Sequence, residues 1–182
     1  RIEDKLSVSA QSLRLEGREE FSVPLEERLT NAREVCLLGV NLVGILSQYQ
    51  GLITAKAKEG CEFRIMIADP EFFDLAGLPA SWYGGARSRR NAEDAAFVVD
   101  KIRERGGRDK VEVRYSLSPP PYSLLMIDPE KASGEVQVEF YTYARNANER
   151  PHLILTRDVD RRWYDFFRKE FDLAWEVARE AG

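Results

Sequence analysis

The chain has 182 residues, 43% hydrophobic and 32% charged, a composition that folds as one globular domain and excludes disorder. Its formal net charge is −4, from 27 Lys and Arg against 31 Asp and Glu. That balance speaks against direct nucleic-acid binding, which needs a concentrated positive field, although Arg87–Ser88–Arg89–Arg90 is a local basic candidate. No apolar run approaches the roughly 20 residues of a membrane span, so no membrane partner is expected, and no signal peptide is visible.

Residues Arg1–Gly17 are polar and weakly patterned, as a linker or tail would be. With Arg1 in place of an initiator Met, residues 18–182 are read as one domain cut from a longer protein whose further domain lies upstream. Glu20–Val23 reads as a short edge strand, and Pro24 opens a helix. Glu34–Gly39 (EVCLLG) has the near-continuous apolar pattern of a strand buried on both faces. Val40–Leu42 is a loop, Val43–Lys58 a helix capped at Gly60, and Cys61–Ala68 the next strand, broken by Asp69–Pro70. Strand, helix and strand in this order make a parallel βαβ unit.

Residues Glu71–Gly85 are irregular and carry Trp82–Tyr83. A helix from about Ser88 to Arg105 closes on Gly106–Gly107, and Val111–Tyr115 alternates as a third strand. Pro119–Pro121 is a stiff turn into a strand over Tyr122–Ile127, which stops at Asp128–Pro129. Glu135–Tyr143 alternates as a half-exposed strand, and Pro151–Thr156 is another. Asp158–Ala181 is a long amphipathic helix with Trp163, Phe166, Phe167, Phe171 and Trp175. Of these, Trp163, Phe167, Phe171 and Trp175 recur every four residues, as a stripe that should lie on the sheet. The fold class is therefore α/β, a three-layer sandwich with a mixed, partly parallel sheet and helices on both faces.

Cys36 and Cys61 sit inside strand-like apolar runs, as buried thiols of a reducing cytoplasm do. No Cys/His cluster has zinc spacing and no Gly-rich phosphate loop is present, so neither metal nor cofactor is expected. Asn41 follows a parallel strand at its carboxyl end, where open α/β sheets bind ligands, and reads either as a site residue or as a loop hydrogen-bonding residue. Asp69 and Asp128 each precede a proline at a strand end, a place for turn chemistry as well as for ligand contact. His152, the only histidine, lies in PHLILTR and reads either as a satisfied structural histidine or as a site residue. Arg145, Asn146, Asn148 and Arg150 form a polar loop that reads as a solvated hairpin connection, though its two arginines would suit a phosphate or carboxylate. Trp82 and Tyr83 are candidates for partner contact.

Two stretches, EVCLLGVNL…GCEFRIMIADP and Pro121–Asp128 (PYSLLMID), resemble one half of the phospholipase D superfamily. With Asp128 as the aspartate of that family's His-x-Lys-x4-Asp signature, the histidine position holds Pro121 and the lysine position Ser123. The family's chemistry needs a nucleophilic histidine and a charged lysine on the phosphoryl oxygens. Proline and serine supply neither. The resemblance thus implies a catalytically inactive ligand-sensing or interaction module of a larger bacterial-type regulatory protein, able to form a homodimer, as the family's halves do around one cleft. Its ligand would be small and polar or phosphorylated, held by Asn41, Asp69, Tyr122, Ser123, Arg150 and His152 along one sheet edge. Two alternatives stay open. One is a phosphodiesterase or nuclease with a rearranged site using His152 with Asp128 or Arg150; the other is a Rossmann-like nucleotide sensor, which a different strand order would mark.

Overall fold

The apolar run at Glu34–Gly39 folds as a strand buried from Val35 to Gly39, and the rest of the sheet is built outward from it. A computed structural model describes residues 15–16, 23–71, 86–142 and 149–181. In chain order the elements are β1 (Leu15–Glu16), α1 (Leu25–Arg28), β2 (Glu34–Gly39), α2 (Val43–Gln48), α3 (Gln50–Lys58), β3 (Glu62–Ala68) and α4 (Ala86–Gly106). They continue with β4 (Val111–Ser116), β5 (Tyr122–Ile127), β6 (Glu135–Phe140), β7 (His152–Thr156), α5 (Arg161–Val177) and β8 (Arg179–Glu180). Trp82 and Tyr83, with Arg145, Asn146 and Asn148, lie outside the described residues, as do all but Val23 of the Glu20–Val23 stretch.

All eight strands join one sheet in the order β1-β7-β6-β5-β2-β3-β4-β8. Strands β2, β3 and β4 are parallel neighbours, whereas β5, β6 and β7 form an antiparallel meander attached to β2. The sheet is thus mixed, and it lacks the all-parallel doubly wound order of a Rossmann-like sensor. Leu15–Glu16, within the stretch expected to be a linker, pairs with β7 at the far edge.

Two apolar layers sandwich the sheet. On one face Val35, Leu37, Phe63, Ile65 and Val113 pack with Leu46 of α2, Ile53 of α3 and Val99 and Ile102 of α4. On the other, Cys36, Leu38, Met66, Leu124, Met126, Val136 and Val138 pack against α5. The strand period of two makes this division, since successive side chains point to opposite faces.

Three expectations are corrected. The single helix expected over Val43–Lys58 is two helices meeting at Tyr49 (φ −109°). Its ladder nonetheless continues, with the Tyr49 N–H donating to the Ile45 carbonyl and the Ile53 N–H to that of Tyr49. The bend lets Leu46 and Ile53 both reach the core. The C-terminal helix stops at Val177; Ala178 turns extended (ψ 146°), and Arg179–Glu180 adds an edge strand to β4. Along α5 the buried line is Tyr164, Phe167, Phe171 and Trp175, while Trp163 and Phe166 face outward. A step of four residues overshoots a helical turn by about 40°, so over three steps Trp163 rotates out of the stripe and Tyr164 takes its place.

Candidate functional site

The parallel strands β2, β3 and β4 end on one edge of the sheet, and the antiparallel β5 and β7 begin there. The predicted site residues therefore share an edge, but only some of them meet. Register sets Ser123 of β5 opposite Glu139 of β6, and Glu139 opposite His152 of β7. These three form a row across three strands on the sheet face that α2–α4 cover further along. The next row on the same face brings Gln137 beside Leu125 and Ile154.

A chain of polar contacts runs through these rows. Arg28 of α1 donates to Gln137 Oε1 at 2.9 Å and pairs with Glu135. Gln137 Nε2 meets His152 Nδ1 at 3.1 Å. Because a guanidinium can only donate, Arg28 fixes the Gln137 amide with its oxygen outward and its NH₂ toward the imidazole. His152 Nδ1 must then accept, and the ring proton sits on Nε2, which faces Glu139 Oε2 at 3.6 Å. The other oxygen of Glu139 accepts from Arg150 at 2.7 Å. The Arg150 guanidinium lies 5.0 Å from the centre of the Tyr141 ring, and the Ser123 hydroxyl hydrogen-bonds to Tyr141. Burial pushes the Tyr141 phenol up to about 12, so it stays protonated. Its oxygen also accepts from the Val40 N–H at 2.9 Å, an approach that the missing side chain of Gly39 permits.

Ser123, Arg150 and His152 are thus brought together, with Gln137, Glu139, Tyr141 and Arg28, which the sequence reading did not single out. The others go elsewhere. Tyr122 points to the opposite face, edge-on to Phe167 at 5.3 Å, because adjacent strand residues cannot share a face. Asp69 is buried and held by Arg179, whose NH2 lies 2.6 Å from Oδ2, while its Oδ1 accepts the Glu71 N–H. Asn41 Oδ1 accepts the Val43 N–H at 3.2 Å, closing the turn into α2 beside Leu42, whose φ is +50°.

Asp128 lies past the far end of β5, about 17 Å of strand away from Ser123, and so cannot act with His152. It holds a turn instead: Oδ1 accepts the Arg33 and Glu34 N–H groups at 2.8 and 2.9 Å, and Lys131 donates to Oδ2 at 2.8 Å. Burial alone would raise its carboxyl, but these donors outweigh it and leave the group below the usual carboxylate range.

The thiols offer no nucleophile. Cys36 and Cys61 are buried and free; burial drives the Cys36 thiol far up and that of Cys61 up to about 11. Among the described residues no group of three or more His, Cys, Asp or Glu is arranged to hold a metal ion, and no helix is long and apolar enough to cross a membrane.

A parallel βαβ entry, an antiparallel meander and a closing aromatic helix give the chain an α/β fold like that of a phospholipase D family member. Two solved structures carry the same fold. Nuc from Salmonella typhimurium, a phospholipase D family member, superposes with a TM-score of 0.54 at 12% identity, over 86% of this chain and 87% of that one. TrmBL2, an archaeal chromatin protein described as showing a novel mode of DNA binding, superposes with a TM-score of 0.52 at 19% identity, over 86% of this chain. This chain spans about half the length of TrmBL2, 48%. No protein-family model matches the sequence, and no curated protein does. The likeness to TrmBL2 overturns the expectation from net charge that direct nucleic-acid binding is disfavoured. The fold occurs in a DNA-binding chromatin protein, and an overall −4 says nothing of how charge is distributed locally.

Proposed function

We propose that this domain is a non-catalytic phospholipase D-like module of a DNA-associated regulatory protein in a reducing cytoplasm, sensing a small polar or phosphorylated ligand at the Ser123–Glu139–His152 edge. The observation that carries the reading is the state of the sole histidine. His152 is 1% exposed, its Nδ1 lone pair accepts from Gln137, and its Nε2 carries the proton toward Glu139. A covalent nucleophile needs an accessible lone pair, and neither nitrogen presents one. At the signature's lysine position, Ser123 brings no charge to stabilise a phosphoryl oxyanion, and Arg150 is paired with Glu139. The likeness to a chromatin protein supports placing the module in DNA-associated machinery, with contact to DNA made either directly or through the rest of a longer chain.

The protein would be assayed on bis(p-nitrophenyl) phosphate and on single- and double-stranded DNA, with His152→Ala alongside. No turnover is expected from either protein. Titration with inorganic phosphate and with duplex DNA, followed by amide NMR, is expected to move the signals of Ser123, Glu139, Arg150 and His152 before those of the opposite edge. Turnover abolished in His152→Ala would overturn the proposal in favour of a rearranged phosphodiesterase or nuclease.

A further inference from the structure

The Arg150 guanidinium is only partly used by its partner. Glu139 Oε1 accepts from Nη1 at 2.7 Å, while Nε is buried with no acceptor among the described residues. A guanidinium carries five donors in a planar fork, and an oxyanion in good register takes two of them side by side. Glu139 meets the fork through one oxygen, because the other is turned toward His152 Nε2, 3.6 Å away. The Tyr141 ring lies beneath the guanidinium, 5.0 Å from its carbon. Both members of the pair stay within reach of solvent, with side chains 26% and 15% exposed.

Charge in this part of the sheet is balanced. Arg150 faces Glu139 and Arg28 faces Glu135, and β1 sets a further acidic residue, Glu16, opposite His152 in register. Ser123 and Tyr141 add neutral hydroxyls, the phenol because burial pushes it up to about 12. An anion arriving at Arg150 therefore meets a carboxylate already there, and the two repel. One proton removes the conflict. His152 is not the group to take it: Nε2 already carries a proton, and Nδ1 faces the Gln137 NH₂ that Arg28 fixes in place. Glu139 is.

We propose that Arg150 is the anion seat of this domain and that Glu139 is its internal occupant, displaced when it takes up a proton. The inference rests on the ligand-sensing reading above. To it are added the ligand's class, an oxyanion offering two oxygens, and its control, acidity. When Glu139 gains a proton from solvent its carboxyl loses its charge and still accepts from His152 Nε2. Arg150 is then free to grip the incoming oxyanion with two donors. The sign of the coupling is fixed. Anion affinity rises as pH falls, by about tenfold for each pH unit over which Glu139 is ionised in the free protein and protonated in the complex.

Inorganic sulfate is the probe, because its charge does not change across the neutral and mildly acidic range. Calorimetric titration in two buffers of different ionisation heat counts the protons, and about one is expected to enter per sulfate bound. Glu139→Gln imitates the protonated carboxyl. It is expected to bind sulfate about tenfold tighter than the unmodified chain at neutral pH, without proton uptake and without pH dependence. A Glu139 that only supported the fold would lose affinity on the same change. Arg150→Gln is expected not to bind, and nitrogen NMR of the single imidazole should keep the Nε2–H form with sulfate bound. Equal binding at every pH without proton uptake, weaker binding in Glu139→Gln, or an imidazolium formed at His152 would each overturn this proposal and leave a ligand site at the edge standing. Sulfate that fails to bind at this edge at any pH would overturn it together with the phosphorylated-ligand reading.

Discussion

Replacing Gln137 by glutamate changes one atom of the polar chain and reverses the role of that atom. Gln137 Nε2 donates to His152 Nδ1 at 3.1 Å; an ionised carboxylate of almost the same shape can only accept. Arg28 still satisfies the first oxygen, as it does now at 2.9 Å. The second oxygen would face a ring nitrogen that is also an acceptor, in a site where the imidazole is 1% exposed. Two buried acceptors without a proton between them cost about 1–3 kcal/mol, a bias of roughly 5- to 150-fold between tautomers. Gln137→Glu is therefore expected to move the ring proton onto Nδ1. The chain has a single histidine, so nitrogen NMR of histidine-labelled protein gives one imidazole pattern and reads the tautomer without assignment. The unmodified protein should show the Nε2–H form and the variant a protonated Nδ1. An Nδ1–H ring in the unmodified protein, or an Nε2–H ring in both, would refute the orientation derived from Arg28 and with it the argument that both nitrogens are engaged.

Two further outcomes follow from the far end of β5. Asp128 titrates below the usual carboxylate range when folded, so its contribution to stability is complete above the unfolded value and is lost as pH falls through that value to the depressed folded one; Asp128→Asn should flatten the acid side of a plot of urea midpoint against pH. Gly134 sits where an added Cβ would lie 2.2 Å from the Tyr164 hydroxyl and 2.7 Å from the Asp128 carbonyl oxygen, and Gly134→Ala should cost about 1–3 kcal/mol by overpacking; an unchanged urea midpoint would show that the turn yields freely.

Much of this fold is legible in the apolar pattern alone. EVCLLG and CEFRIMIA are too continuously apolar for any place but a sheet covered on both faces, and a helix of crossover length lies between them. What the pattern hides is side-chain direction at an element's end. Tyr122 and Ser123 are neighbours in the chain and were expected in one pocket, yet the pleat sends the tyrosine to Phe167 and the serine to Tyr141. The polar alternation of EVQVEF reads as a solvent face. Its Glu135, Gln137 and Glu139 are instead partners for Arg28, His152 and Arg150, which lie 11 to 109 residues away. Such pairings depend on strand order, which no local window contains. Asp69 was misplaced for the same reason: its partner Arg179 arrives on a two-residue strand that helical periodicity had absorbed into α5.

The relation between fold and chemistry here rests on register. Leu38 opposite Leu124, and Val138 opposite both Leu124 and Leu153, hold β2, β5, β6 and β7 in line through apolar contacts on the α5 face. A slip of one residue would turn those side chains toward the other face, so the pairing is strongly specified whatever residues occupy the polar row. A lysine at position 123 would face Glu139 across the sheet; serine in its place leaves Glu139 to Arg150 and lets the hydroxyl bond Tyr141. Within the row and beside it, Arg150 pairs with Glu139 and Gln137 donates to His152. That accounts for a fold shared with Nuc at 12% identity: the constraint on the sheet lies in its apolar alternation, and the residues on its polar row are free to change the chemistry without moving a strand.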